Sequence, residues 1–408
     1  MPRILAYTSP AKGHLFPLTP ILDALVERGH EVHLRTLASE VPRMNTRGVQ
    51  TAAIDARIEA CVMGDWRARS PQQALSLAVR TFCDRAPHDA ADLQRAIADV
   101  RPDMVVVDIN CWGAMAAAEA WGGPWATFSP YPLALRSRDV PPFGPGLPPA
   151  RGPLGRVRDA LLRPVVVGAV SRIIVPACNT VRASVGLAPF SSPDDLFLRP
   201  PLLLYMTAEP FEYPRHDWPG NVVMIGPCAW EPPSATPDWL AQISRPIVLV
   251  TTSSEYQDDG RLVAVALEAL RDEPVHVVAT VPAGDPIQFT VPANATVVPF
   301  VPHSQLLPRA VCAITHGGMG ATQKALAHGV PVCAVPFGRD QLEVARRVEI
   351  CGAGTRLPAS ALRPDRLRAA VREAMARKAG AMRVATAFRE AGGAPAAVSA
   401  IEQQLLTR

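Results

Sequence analysis

Apolar positions along this chain fall into short unbroken runs that alternate with longer runs of helical spacing. Residues 3–8 form an apolar run of strand length. Residues 18–28 carry apolar side chains three and four positions apart. Gly29 suits a helix end, and residues 31–36 predict the next strand. Connections this short between strand, helix and strand predict a parallel sheet with crossover helices. Residues 104–107 predict a buried strand after Pro102, followed by Asp108 and a helix over 114–120, and residues 222–225 predict another strand. A second series begins after Pro246. It holds strands over 247–250, 275–279, 311–314 and 332–335, with helices over 262–270 and 322–327. Two consecutive alternating series predict two doubly wound α/β domains. The join falls within residues 226–245, where Pro227, Pro232, Pro233 and Pro237 discourage regular structure. The first domain is therefore residues 1–226 and the second 227–394. Residues 141–153 hold six prolines and read as a surface loop or lid on the first domain.

Composition agrees with this division. A chain of 408 residues exceeds the size at which one hydrophobic core keeps growing. The net charge of +4, from 41 basic and 37 acidic residues, is mild and scattered, which argues against a nucleic-acid partner. None of the eight cysteines forms a Cys-x-x-Cys pair, and buried, reduced thiols are expected. The first eight residues lack the charged-then-apolar order of a signal peptide, and no apolar stretch looks long enough to span a bilayer. A cytoplasmic protein without integral membrane association is expected.

Candidate chemistry sits where strands give way to loops, the edge at which open α/β sheets bind ligands. The segment Gly13-His14-Leu15-Phe16-Pro17 follows the first strand. His14 there is either a general base, kept neutral by the following helix, or a histidine hydrogen-bonded within its loop. Asp108 closes the strand 104–107. It either orients His14 or caps the next helix. In the second half, Thr251-Thr252-Ser253-Ser254 offers hydroxyls at a strand end or forms a plain turn. Thr315-His316-Gly317-Gly318-Met319-Gly320-Ala321-Thr322 is the stronger signal, because three glycines between a strand and a helix let the backbone approach an anion. Asp340 and Gln341 pair an acceptor with a carboxamide, a combination suited to sugar hydroxyls. Phe300, Val301, Pro302 and His303 offer a flat ring and backbone groups for a base.

Together these residues resemble glycosyltransferase family one, the inverting enzymes of GT-B fold, and most closely their bacterial macrolide and natural-product branch. The segment THGGMGATQKALAHGVPVCAVPFGRDQ, residues 315–341, follows that family's donor motif. GHLFP and VVVDIN match the positions of its catalytic histidine and aspartate. The resemblance implies two Rossmann-like domains facing across a cleft, with residues 395–408 crossing back onto the first. It implies His14 as general base, oriented by Asp108. Ser254, His316, Gly317, Gly318 and Thr322 would bind the diphosphate, Phe300, Val301 and His303 the base, and Asp340 and Gln341 the sugar. The chain departs from the family at Lys324, which replaces a ribose-gripping glutamate and points to a thymidine rather than a uridine diphosphate sugar. Phe300 replaces a tryptophan, His303 a glutamine and Ser253 a glycine.

The expected reaction moves a hexosyl group from a dTDP- or UDP-sugar to a hydroxyl of a lipophilic small molecule, with inversion and without a metal or cofactor. Trp66, Trp112, Phe128, Tyr131 and Phe143 are candidate acceptor-lining residues, each with core packing as its alternative. The expected partners are the nucleotide sugar and the acceptor, with a homodimer as an option. The rival readings are a noncatalytic helper of the same fold and a nucleotide-sugar epimerase. Retention of both His14 and Asp108 argues against the first, and the GHLFP segment against the second.

Overall fold

The computed structural model describes residues 1–406. The first sheet contains β1 (Arg3–Tyr7), β2 (Glu31–Thr36), β3 (Gln50–Ala53), β4 (Met104–Asp108), β5 (Trp125–Ser129), β6 (Leu203–Tyr205) and β7 (Val222–Met224). Its order is β3-β2-β1-β4-β5-β6-β7, with every pair parallel. The second contains β8 (Ile247–Thr251), β9 (His276–Thr280), β10 (Ala295–Val298), β11 (Ala310–Thr315), β12 (Val332–Ala334) and β13 (Gly354–Arg356), in the order β10-β9-β8-β11-β12-β13, again all parallel. β4, β5 and β8 are buried at every position, because helices cover both faces of a parallel sheet.

Strand pleating distributes the core to both faces. Leu5, Tyr7, Val105 and Val107 point into one cluster, while Ile4, Ala6, Met104 and Val106 point into the opposite one. The helix Gly393–Leu406 joins the second of these through Ala397, Val398 and Ile401. Arg28 and His30 also reach Glu402 at 2.6 and 3.0 Å. Burying a side chain such as Ile401 stabilises by roughly 1.5–3 kcal/mol, so the chain's end is held to its beginning by packing. The last two positions of the expected crossing segment, Thr407 and Arg408, lie outside the described residues.

Three expectations change. The helix expected over 18–28 runs Lys12–Glu27 and contains Pro17 and Pro20. Its apolar stripe already begins at Leu15 and continues through Leu18, Ile21, Leu22 and Leu25, all buried, and that burial outweighs the hydrogen bonds the prolines remove. The helices Pro71–Val100 and Pro153–Ala183 were not anticipated, and both carry internal prolines. The second of them overturns the expectation about bilayer length. It is long and apolar enough to cross a membrane by length and composition, and little of its apolar stretch is buried. Arg163 and Arg172 interrupt that apolar run, which hid it in the linear pattern. Leu154, Val157, Leu161 and Val165 lie exposed along it.

Candidate active site at two switch points

The first sheet reverses its strand order between β1 and β4, and the second between β8 and β11. A crevice opens at each such point beyond the carboxyl ends of the strands. The pairing of Tyr7 with Val107 sets the ends of β1 and β4 side by side, which delivers His14 to Asp108. His14 Nδ1–H donates to Asp108 Oδ1 at 2.8 Å. A carboxylate only accepts, so the proton is fixed on Nδ1 and Nε2 keeps its lone pair. Asn110 Nδ2 donates to that lone pair at 3.2 Å, and the Tyr131 hydroxyl donates to Asn110 Oδ1 at 2.8 Å. Asp108 is fully buried. Its Oδ2 accepts from Ser9 N at 2.9 Å and Ser9 Oγ at 2.5 Å, and its Oδ1 accepts from Asn110 N at 3.0 Å. Those bonds are internal to the site, and Asp108 caps no helix with its side chain.

His14 occupies the first turn of its helix rather than the preceding loop, and its side chain is 14% exposed. The expectation that the helix end lowers its pKa is corrected. Burial does favour the neutral ring, but the charge and hydrogen bond of Asp108 outweigh it, so the pKa is raised. Asp108 shows the mirror image. Burial would raise its pKa, yet His14 and the surrounding donors hold it below the usual carboxylate value.

Across the cleft, the helix Met319–Ala327 begins three residues earlier than expected, directly after Gly318. Its first three N–H groups, on Met319, Gly320 and Ala321, have no carbonyl within the helix to bond. A Cβ at Gly318 would lie 2.3 Å from His316 Nε2, so a larger residue there would displace the His316 ring. His316 is buried, its Nδ1 has no hydrogen-bond partner among the described residues, and burial lowers its pKa. Ser254 is exposed at the end of β8. Two of the expected diphosphate ligands are already engaged. Gly317 N donates to Thr315 Oγ1 at 3.1 Å, and the fully buried Thr322 hydroxyl pairs with that same Oγ1 at 3.2 Å. They shape the turn, while the open donors belong to the helix's first turn.

The Asp-Gln pair divides in the same way. The Asp340 carboxylate makes no hydrogen bond to another residue among the described residues, and burial raises its pKa. Gln341 Oε1 instead accepts from Phe337 N and Gly338 N at 2.8 and 3.0 Å, and its Nε2 donates to Gln257 at 2.7 Å. It therefore holds the loop that carries Asp340, with its amide engaged on Phe337, Gly338 and Gln257. Phe300 is 46% exposed, Val301 is buried, and His303 Nε2 lies 3.0 Å from Thr280 Oγ1.

The five aromatic candidates separate. Tyr131 lies beside His14, with ring centroids 5.8 Å apart. Phe143 is half-buried in the proline-rich loop, which reaches the second domain where Gly144 N and Gly146 N donate to Glu343 Oε1 at 2.8 and 2.9 Å. Phe128 and Trp112 belong to the core, because β5 is buried on both faces and Trp112 packs on Phe82. Trp66 packs edge-on against Tyr256 of the other domain at 5.1 Å. Beside it, Arg339 Nε and Nη2 donate to Asp65 at 2.7 and 2.8 Å, and Nη1 donates to Glu255 at 3.0 Å, clasping the two domains next to Asp340. Sequence reasoning missed Ser9, Asn110, Asp65 and Arg339. Asn110 and Arg339 lay inside quoted motifs, two positions after Asp108 in VVVDIN and directly before Asp340 in residues 315–341.

Comparison with known proteins fits this arrangement. Residues 264–403 match the family model described as erythromycin biosynthesis protein CIII-like, C-terminal domain. The chain is 34% identical over 390 residues, 91% of each protein, to 4'-demethylrebeccamycin synthase of Lentzea aerocolonigenes. In fold it resembles the glycosyltransferase of kitacinnamycin, with a TM-score of 0.75 at 23% identity, covering 99% of this chain and 100% of that one. It also resembles the glycosyltransferase VinC in complex with dTDP, with a TM-score of 0.71 at 24% identity over the full length of both. The chain belongs to the GT-B glycosyltransferases of natural-product biosynthesis.

Proposed function

We propose that this transferase moves a hexosyl group from a nucleoside diphosphate sugar, preferentially a thymidine one, to a hydroxyl of a lipophilic natural product with inversion at the anomeric carbon. The observation that carries the reading is the bond from His14 Nδ1–H to buried Asp108, which leaves Nε2 as the free base. An acceptor hydroxyl displaces the Asn110 amide from Nε2 and gives its proton to that nitrogen as its oxygen attacks. Asp108 then stabilises the imidazolium. Charge developing on the departing diphosphate meets the N–H groups of Met319, Gly320 and Ala321 at the positive end of their helix, with His316 and Ser254 beside it. Asp340 accepts from the sugar hydroxyls. The thymidine preference draws support from Lys324 and from relatives of this fold solved with thymidine diphosphate. No metal or cofactor is assigned a step.

The test is release of nucleoside diphosphate from dTDP- and UDP-hexoses in the presence of a panel of lipophilic alcohols and phenols. His14→Ala is expected to lower transfer by roughly 10²–10⁴, the usual contribution of a positioned base. Transfer at the wild-type rate in that variant overturns the assignment. Proton NMR of the product is expected to show the anomeric configuration opposite to that of the donor. EDTA is expected to leave the rate unchanged, and a loss restored by a divalent cation defeats the metal-free reading.

A further inference from the structure

The connection between the two sheets carries a carboxylate that the reaction above does not use. Glu231 reaches the edge of the second sheet, where its Oε1 accepts from Lys324 Nζ at 2.6 Å and from His303 N at 2.9 Å. Its Oε2 accepts from Ser304 N at 3.0 Å. The side chains of Glu231 and Lys324 are 10% and 17% exposed, so the pair is largely desolvated but still open on one side. Burial alone would raise the pKa of Glu231, but Lys324 outweighs it and the value falls to about 2. His303 is pushed down to about 4 by burial and by Lys324. At neutral pH Glu231 is therefore a carboxylate and His303 a neutral imidazole.

Its position follows from the helix Met319–Ala327. The first turn of that helix carries the open N–H groups assigned above to the diphosphate, and Lys324 stands five residues after Met319, roughly 7 Å along the axis. Phe300, with its exposed ring, lies three residues before His303. On the nucleotide-sugar reading, the cluster falls between the phosphate end and the base end of the donor site, at the level of the pentose. An ionised carboxylate offers about four acceptor positions, and three are occupied here. One remains, on Oε2.

We propose that Glu231 is a specificity-determining residue for the donor: its single vacant acceptor position takes one pentose hydroxyl, so the site favours 2′-deoxynucleoside diphosphates over ribonucleotides. This rests on the nucleotide-sugar reading of the preceding section. A 2′-deoxy pentose brings one ring hydroxyl to this point. A ribose brings a vicinal pair, whose second hydroxyl is left desolvated opposite a carboxylate already saturated by Lys324 and two backbone N–H groups. Lys324 therefore contributes by occupying Oε1, and Glu231 by offering what is left.

Calorimetry with UDP and dUDP, which differ only in the 2′-hydroxyl, tests this, with inorganic pyrophosphate as a control for the phosphate end. The full-length wild type is expected to bind dUDP roughly tenfold more tightly than UDP, the effect of one unpaired polar group. Glu231→Gln is expected to bring the ratio towards one by weakening dUDP. Lys324→Met frees a second acceptor on Oε1 and is expected to bring the ratio towards one by strengthening UDP. Pyrophosphate affinity is expected to hold in both variants. A residue that merely capped the short helix after Pro302 would alter stability and leave the ratio alone. Equal wild-type affinity for the two nucleotides, or an unchanged ratio in both variants, overturns the proposal. Wild-type protein that binds neither nucleotide instead overturns the donor reading beneath it.

Discussion

At the residue scale, the decisive feature is how His14 is held. A general base acts only when neutral, and the Asp108 carboxylate raises the pKa of His14 despite its burial. Activity is therefore expected to rise with pH along a limb lying above the imidazole's ordinary 6.5. Asp108→Asn removes the charge and replaces one carboxylate oxygen with an amide donor, so the limb moves to lower pH. The plateau also falls, by roughly 10²–10⁴, because an amide can donate to the ring as well as accept from it and no longer enforces the proton on Nδ1. The pH profile of kcat/KM checks this, and a limb at the wild-type position in the variant defeats it. His14 and Asp108 were legible in the sequence as residues at strand ends, and the resemblance assigned their roles. The direction of the pKa shift was not legible. It depends on a 2.8 Å contact between residues 94 positions apart, which outweighs the local helix-end argument. Gln341 shows the converse. Its residue type suited a sugar, but the folded loop takes up its acceptor.

At the element scale, strands were legible and long helices were not. A strand buried on both faces appears as a short apolar run whatever surrounds it, as β4 and β8 do. Helices Pro71–Val100 and Pro153–Ala183 break the rule that proline ends a helix; in the first, buried Arg85, Ala86, Asp89 and Ala90 pack around Pro87, whereas most of the second is not buried. Packing also dictates Gly113, on the helix Trp112–Trp121 that crosses Pro71–Val100. A Cβ there would lie 1.8 Å from the Ala86 carbonyl oxygen. Gly113→Ala is expected to force these helices apart and cost about 1–3 kcal/mol or more. The control is Gly168→Ala, inside the helix Pro153–Ala183, where nothing lies within 4 Å of the added Cβ. It is expected to stabilise by about 0.5–1 kcal/mol through helix propensity alone. Denaturant unfolding of the two variants should give opposite signs, and a neutral Gly113→Ala would show that the crossing can relax.

At the scale of the whole molecule, the two sheets are joined by a deep ionic network as well as by the clasp at Asp65. Arg347, 1% exposed, donates to both oxygens of Glu212 at 3.1 and 2.9 Å and to Glu343 at 3.0 Å. Its guanidinium also lies over the Tyr213 ring, 4.3 Å from the centroid. Glu212 belongs to the segment after β6, and Arg347 to the helix Gln341–Ile350 that starts beside Asp340. The network thus fixes the helix Gln341–Ile350 against the domain that carries His14. The Glu212–Arg347 joint was not legible, because those partners stand 135 positions apart and only the fold brings them together, whereas Glu343 and Arg347 stand four positions apart on one helix. Removing one member of a buried pair strands the other, so Arg347→Ala is expected to cost about 3–5 kcal/mol. The pH dependence follows from Glu212. Burial raises its pKa, but Arg347 and Arg215 outweigh that and the folded value lies below 4.5. A depressed carboxylate contributes stability that is present above its unfolded pKa and lost as pH falls through the folded one. Wild-type Tm should therefore drop on acidification below about 4.5. In Arg347→Ala the same carboxylate is buried with its principal cation gone, so its pKa rises and protonation relieves it. The Tm deficit of the variant against wild type is expected to be largest near neutral pH and to shrink as the solution is acidified. A deficit that stays constant from pH 8 to pH 4 would mean that Arg347 acts through packing alone, and that the ionic joint does not hold the two domains in register.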